Sequence, residues 1–304
     1  VEQDRIGVVV FADNAKYDLG SSGEYTQGAG GGAILIRHNP RLLEIPDIWG
    51  VSTMPVHDFF KPRREITRKS IVETVLELAS DAGEKFKTNL SERIMRIIDK
   101  TDKRDHTLFE SETLKVHKDT PVFDGAFSNR CYSESVKQAF INFRSKAIAH
   151  GRYDPNDDDI LTEQWSRIIV HLPYAFQAKR MFPDVFRHDR RHLPTWSEIE
   201  AEIGPEPIRP DYPEGESGES EFEAANDVYR RKISKTDQFK QFVEQRIEKT
   251  QRASSKVGNQ YTGSIFLALM SALESDLEDN QDMNGARVGL CGYCLLYTSP
   301  SPRD

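Results

Sequence analysis

DNAKYDLGSSGEYTQGAGGGAILIRHNP, Asp13 to Pro40, decides the fold class. It follows Ile6 to Ala12, a continuously apolar, β-branched run that predicts a strand buried on both faces and ending at Asp13. A polar loop with Gly20, Gly23 and Gly28 comes next, and Gly30, Gly31 and Gly32 lead straight into Ala33-Ile34-Leu35-Ile36, a second buried strand. Gly28 to Ala33 formally spells the dinucleotide fingerprint G-x-G-x-x-G/A, but that motif must leave a strand and open a helix to set phosphate on the helix N-terminus. Here the glycines open a strand. They are read instead as positions of close backbone packing or unusual dihedrals.

With 304 residues, 37% apolar and 30% charged, the chain can bury a sizeable core as one large domain or two halves. Net charge is −8 with basic residues interspersed among acidic ones, which gives no nucleic-acid footprint. The longest apolar runs, GVVVFA and SIFLALMSAL, fall well short of the roughly 20 residues of a membrane span, and a cytoplasmic setting is expected. Cys131, Cys291 and Cys294 are unevenly spaced, so they form neither a disulfide framework nor a paired CxxC metal site.

Between Lys61 and Pro121 a charged segment carries helical periodicity, Ile71, Val75 and Leu78, then Leu90, Ile94, Ile97 and Ile98, and predicts two amphipathic helices. Ser128 is placed to cap a helix with Tyr132, Val136, Ala139, Phe140 and Phe143 on one face, ending near Gly151. Arg167 to Leu172 is a short buried-strand pattern with His171 at its C-terminal end before Pro173. The Pro- and Gly-rich stretch PEPIRPDYPEGESGESE reads as a mobile loop, followed by one charged helix from about Glu221 to Ser254. Gly263 to Leu277 is apolar nearly all round and reads as a buried helix, and Arg287 to Tyr293 starts a last strand.

Five short motifs then fall in a fixed order. Asp13 and Tyr17 spell D-x-A-x-Y after the first strand, with Thr26 in the loop beyond it; Asp58 lies in VHDFFKP; Asp124-Gly125 and Tyr132 fit D-G-x-x-S-x-x-x-Y. His171-Leu172-Pro173-Tyr174 is H-x-P-[YF], and Gly258-Asn259-Gln260-Tyr261-Thr262 is G-N-x-Y-T. In this order they resemble the hydroxymethylglutaryl-CoA synthase family of the thiolase superfamily. Two departures stand out: His57 where the family has Tyr, and Tyr25 where the family's P-T-x-G loop has Pro.

The resemblance implies an α/β fold of thiolase-like α-β-α-β-α layers, incomplete in this chain, from a protein that is a homodimer. It divides the chain into 1–60, the end of an N-terminal half; 61–120, a helical insertion; and 121–293, a C-terminal half with a charged insert at 182–255. The implied reaction condenses acetyl-CoA with acetoacetyl-CoA through an acetyl-cysteine, with no cofactor beyond the coenzyme A thioesters and no metal. The alternatives are a β-branching synthase acting on acetoacetyl groups bound to an acyl-carrier protein, and a non-catalytic CoA-binding paralogue. By the same resemblance His171 hydrogen-bonds the acetoacetyl thioester oxygen, Asn259 serves the same site, and Asp13 and Asp58 organise it. Tyr17, Thr26, Tyr132 and Tyr261 line it, and Lys179 and Arg180 meet CoA phosphates. A helix N-cap is the other reading of Asn259, and a solvated pair that of Lys179 and Arg180.

The nucleophilic cysteine and the base are expected upstream of Val1. Cys131, inside a helix pattern, reads as a buried small hydrophobe. His188 and His192 in HDRRH have the i, i+4 spacing of a metal pair but lack the Glu of H-E-x-x-H. Cys294 to Asp304, CLLYTSPSPRD, reads as translated sequencing adapter and is left out of the fold.

Overall fold

The computed structural model describes residues 5–56, 58–60, 63–78, 88–90, 92–94, 96, 113–117, 120–154 and 160–293. His57, Ile97, Ile98 and the 294–304 tail lie outside the described residues. The chain divides into two compact units, Val1–Asp58 with Phe123–Asp304, and Phe59–Val122.

The first unit begins with β1 (Ile6–Ala15) and β2 (Gly28–Arg37), antiparallel from Ile6 opposite Arg37 to Ala15 opposite Gly28. The smaller unit follows with β3 (Phe59–Phe60), β4 (Arg63–Thr67), α1 (Arg68–Leu78) and β5 (Thr113–His117), and the chain returns through β6 (Val122–Phe123). In it, β4 and β5 form an antiparallel pair that the helical periodicity did not announce. α1 matches the first predicted helix, and residues 88–90 and 92–94 are helical where the second was expected.

Back in the first unit, α2 (Gly125–Ala149) opens at Asp124, whose carboxylate accepts from the backbone N–H of Ala126 and Phe127, each at 2.9 Å. This corrects the expected Ser128 cap: Asp124 is extended and faces the free N–H groups, while the Ser128 hydroxyl donates to Asp58. The predicted face is real, with Tyr132, Val136 and Phe140 buried. β7 (Arg167–Val170) is buried at every position and runs parallel to β8 (Val288–Cys291).

Between them come α3 (Gln177–Met181), α4 (Pro183–Arg190), α5 (Trp196–Ile203), α6 (Glu216–Ile233), α7 (Asp237–Arg246), α8 (Glu248–Gln251), α9 (Ser254–Val257) and α10 (Ser264–Glu278). The single charged helix expected from Glu221 to Ser254 is therefore a series of four, and the first starts inside the stretch read as a mobile loop. The first break has a local cause: extended Thr236 accepts from Phe239 N–H with its hydroxyl and caps a new helix. Phe182, Phe186, Ile233, Phe239, Ile247 and the β7 residues close one core with α2.

Three burial expectations are corrected, the first for β2, where Leu35 is 61% and Ile36 39% exposed and no position is buried. β1 is not buried on both faces: Val8 is 61% and Val10 72% exposed, because β2 is the one strand paired with it among the described residues. α10 buries one side, through Ser264, Ala268, Leu269 and Ala272, and leaves Met270 and Leu277 exposed. Among the described residues no helix is long and apolar enough to cross a membrane.

Candidate functional site

β7 delivers His171. The strand hydrogen-bonds on to His171, whose N–H donates to Cys291 O at 2.9 Å, and Pro173 then removes the donor that would extend the ladder. The Tyr132 hydroxyl, from α2, donates to His171 O at 2.8 Å. The imidazole Nδ1 lies 2.7 Å from Ser264 Oγ, at the first residue of α10. Burial lowers the His171 pKa from 6.5 to about 4, so the ring is neutral near pH 7.

A turn places Asn259 beside it. Gly258 has φ +82°, and a Cβ there would come within 2.1 Å of Gln27 O, so the loop after α9 and the turn before β2 pack backbone to backbone. Asn259 N–H donates to Thr26 O at 2.9 Å. Its side chain is buried, with Nδ2 donating to the Tyr17 hydroxyl at 3.2 Å and Oδ1 accepting from Tyr261 N–H at 2.8 Å. Asn259 does not cap α10, whose N-cap is Gly263. Gln260 Nε2 donates to Ala29 O, binding the same turn to β2.

The hairpin loop and the α10 turn thus meet at Tyr17, Thr26, Asn259 and Tyr261, and Tyr261 O accepts from Ser264 Oγ at 2.8 Å, one step from His171. The Thr26 hydroxyl itself donates to Gly23 O. Asp58 joins from the other side: it is buried, and Oδ2 accepts from Ser128 Oγ at 3.0 Å and Tyr293 OH at 3.1 Å. Tyr293 packs edge-on against Tyr132 with centroids 4.3 Å apart, which links Asp58 to the His171 wall. Asp13 stands in β1 opposite Gly30 and takes part in none of these hydrogen bonds.

Lys179 and Arg180 sit on α3 in a cleft of about 860 Å³. Arg130, Arg230, Arg231 and Lys240 add their charge to its lining, opposed by Asp227, Glu244 and Glu248. Lys179 Nζ reaches Glu248 Oε1 at 3.3 Å, and the Arg180 guanidinium lies over the Tyr174 ring. Such a cleft favours a polyanion with an apolar body, although Lys179 must share its charge with Glu248.

Neither described cysteine is poised as a nucleophile. Cys131 is buried and its thiol pKa raised, first by burial and then by Asp58; burial pushes Cys291 up to about 12. His188 packs edge-on to Phe140, and His192 lies exposed past the end of α4. Among the described residues no His, Cys, Asp and Glu cluster is arranged to hold a metal.

Sequence reasoning missed Ser264 and Tyr293, and gave Ser128 a capping role in place of its bond to Asp58. Ser264 was within reach, two residues past G-N-x-Y-T, but a serine opening a helix has no spacing signature of its own. The bonds of Tyr293 and Ser128 to Asp58 become visible only once β8 and α2 bring them there.

A family model described as the C-terminal part of hydroxymethylglutaryl-coenzyme A synthase matches residues 113–298. The hydroxymethylglutaryl-CoA synthase of Haloferax volcanii is 26% identical over 289 residues, covering 95% of this chain and 50% of that protein. The Saccharomyces cerevisiae enzyme of the same name is 27% identical over 179 residues, 57% of this chain and 33% of that protein. Among solved structures, MvaS in complex with 3-hydroxy-3-methylglutaryl coenzyme A aligns with a TM-score of 0.54 at 23% identity, over 90% of this chain and 46% of that one. That likeness carries the fold, thiolase-like α/β. The chain spans about half the length of the curated relatives it matches.

Proposed function

The chain belongs to the hydroxymethylglutaryl-CoA synthase family, and we propose that it supplies the acyl-positioning wall of a synthase condensing acetyl-CoA with acetoacetyl-CoA. The observation that carries this is the continuous hydrogen-bonded path from neutral His171 through Ser264 and Tyr261 to Asn259. Such a chemistry needs a thiolate to take the acetyl group, a base to make the carbon nucleophile, and preorganised polar groups where charge develops. Cys131 is buried, and burial raises the pKa of both described thiols, which supports a reading in which the acetyl-accepting cysteine and the base lie in the part of the relatives' length that this chain does not span.

In the proposed sequence that thiolate displaces CoA from acetyl-CoA. Loss of a methyl proton to the base gives an enolate that attacks the ketone carbon of acetoacetyl-CoA, and water then cleaves the cysteine thioester, releasing hydroxymethylglutaryl-CoA. His171 contacts the acetoacetyl thioester oxygen, Asn259 serves the same site through its bonds to Tyr17 and Tyr261, and Asp58 fixes the Tyr132 and Tyr293 wall. The cleft with Lys179 and Arg180 takes the phosphates of CoA. The working unit is a cytoplasmic homodimer; relatives bearing the name "Hydroxymethylglutaryl-CoA synthase, cytoplasmic" occur in mammals such as Mus musculus.

The test is product formation by a polypeptide of the relatives' full length containing this chain. Hydroxymethylglutaryl-CoA made from acetyl-CoA and acetoacetyl-CoA supports the proposal. Product formed only from carrier-protein-bound acetoacetyl groups would replace it with β-branching chemistry. CoA binding without any condensation would make the chain part of a non-catalytic paralogue.

A further inference from the structure

Ser264 has one hydroxyl proton and three polar neighbours. Leu172 N–H lies 3.3 Å from its Oγ, Tyr261 O 2.8 Å and His171 Nδ1 2.7 Å. The roles of two are fixed: a backbone N–H only donates, and a carbonyl only accepts. Ser264 is fully buried and Leu172 equally so, so these groups satisfy one another.

If the hydroxyl donates to Tyr261 O, its lone pairs accept from Leu172 N–H and from a protonated Nδ1, and every neighbour is satisfied. If it donates to Nδ1 instead, it no longer bonds Tyr261 O. The first arrangement makes one more hydrogen bond in a dry site, where each is worth most. We infer that Ser264 is a positioning residue that holds His171 as the Nδ1–H tautomer and leaves Nε2 as a bare acceptor in the resting protein. His171 Nδ1 therefore has its tautomer set from α10, by a residue outside the H-x-P-Y motif.

The chemical consequence rests on the reading of His171 as the residue that meets the acetoacetyl oxygen. A carbonyl oxygen accepts hydrogen bonds and does not give them, so docking it at Nε2 requires the other tautomer. During a transient opening of the site the ring takes a proton from water at Nε2 and returns its Nδ1 proton to water, with no net change in protons, and the hydroxyl turns from Tyr261 O to Nδ1. Ser264 becomes a two-position support whose resting and engaged states differ by one backbone contact. The depressed pKa of His171 agrees with a ring that stays neutral in both states.

The test is the long-range ¹H–¹⁵N spectrum of the ligand-free chain labelled with ¹⁵N-histidine, with the His171 signals among the 8 histidines identified by their loss in His171→Gln. A protonated Nδ1 and an unprotonated Nε2 are expected, and Ser264→Ala should move the tautomer ratio about tenfold toward Nε2–H. An Nε2–H ring in the unmutated chain, or an unmoved ratio in folded Ser264→Ala, would overturn the assignment. If Ser264→Ala does not fold, the unmutated spectrum still decides. The spectrum needs no turnover: an Nδ1–H ring in a protein that makes no product keeps the Ser264 assignment and removes only the synthase reading.

Discussion

Asn259 uses both ends of its amide on backbone and ring partners drawn from opposite ends of the chain, so its loss should be felt as stability before anything else. Asn259→Ala leaves the Tyr261 N–H and the Tyr17 hydroxyl without their partner in a buried turn and should cost about 1–3 kcal/mol in urea unfolding. Tyr17→Phe removes only the hydroxyl and should cost about 0.5–1.5 kcal/mol; equal losses would mean that the amide's bond to Tyr261 contributes nothing. His171 gives a pH signature. Its folded pKa is below that of the free side chain, so the stability it adds is complete above about pH 6.5 and is lost as pH falls toward about 4. The loss should be on the order of 2–3 kcal/mol, with His188 acting in the same direction, and His171→Gln should flatten its share of the slope. His171 and Asn259 were legible because each is embedded in a motif with a proline or glycine beside it. Ser264 was not, because its meaning lies in joining Tyr261 of its own turn to His171 and Leu172, more than ninety positions away at the end of β7.

At the scale of elements, the meeting of the α9–α10 turn with the start of β2 sets the site. Gly258 and Gly285 both have positive φ, but a side chain on Gly285 would meet open space while one on Gly258 would meet Gln27 O. Gly285→Ala should therefore cost about 1 kcal/mol from backbone strain alone. Gly258→Ala should cost about 3 kcal/mol or more and loosen the Thr26–Asn259 contact; equal penalties on denaturant titration would show that the turn is not pressed against the hairpin. α2 and β7 could be read from the sequence because their apolar periods are long or continuous. The four-part run from α6 to α9 could not, since charged residues at helical spacing continue across Ser234 to Thr236 and the break depends on the cap that Thr236 makes. β4 and β5 escaped because their pairing joins residues about fifty positions apart, beyond any local pattern.

At the scale of the molecule, apolar strength and burial part company in β1. Ile6, Val8 and Val10 read as core in the sequence, yet all are more than half exposed, because a strand's faces are buried only when other elements cover them. The 304-residue chain should accordingly self-associate, and Val10→Lys should lower its concentration-dependent light scattering while changing unfolding free energy by no more than about 0.5 kcal/mol. A drop in stability without a drop in scattering would mean that β1 is covered in solution. In the proposed reaction the His171 wall serves the second substrate and not the first. The direct measurement is made on His171→Ala in the full-length polypeptide, scoring cysteine acetylation by acetyl-CoA beside overall condensation, with melting temperature held in view. Acetylation should persist while condensation falls on the order of 10²–10³, the worth of one preorganised polar contact to a developing oxyanion. Condensation unchanged in a stable variant, or both steps falling together with the melting temperature, would contradict it.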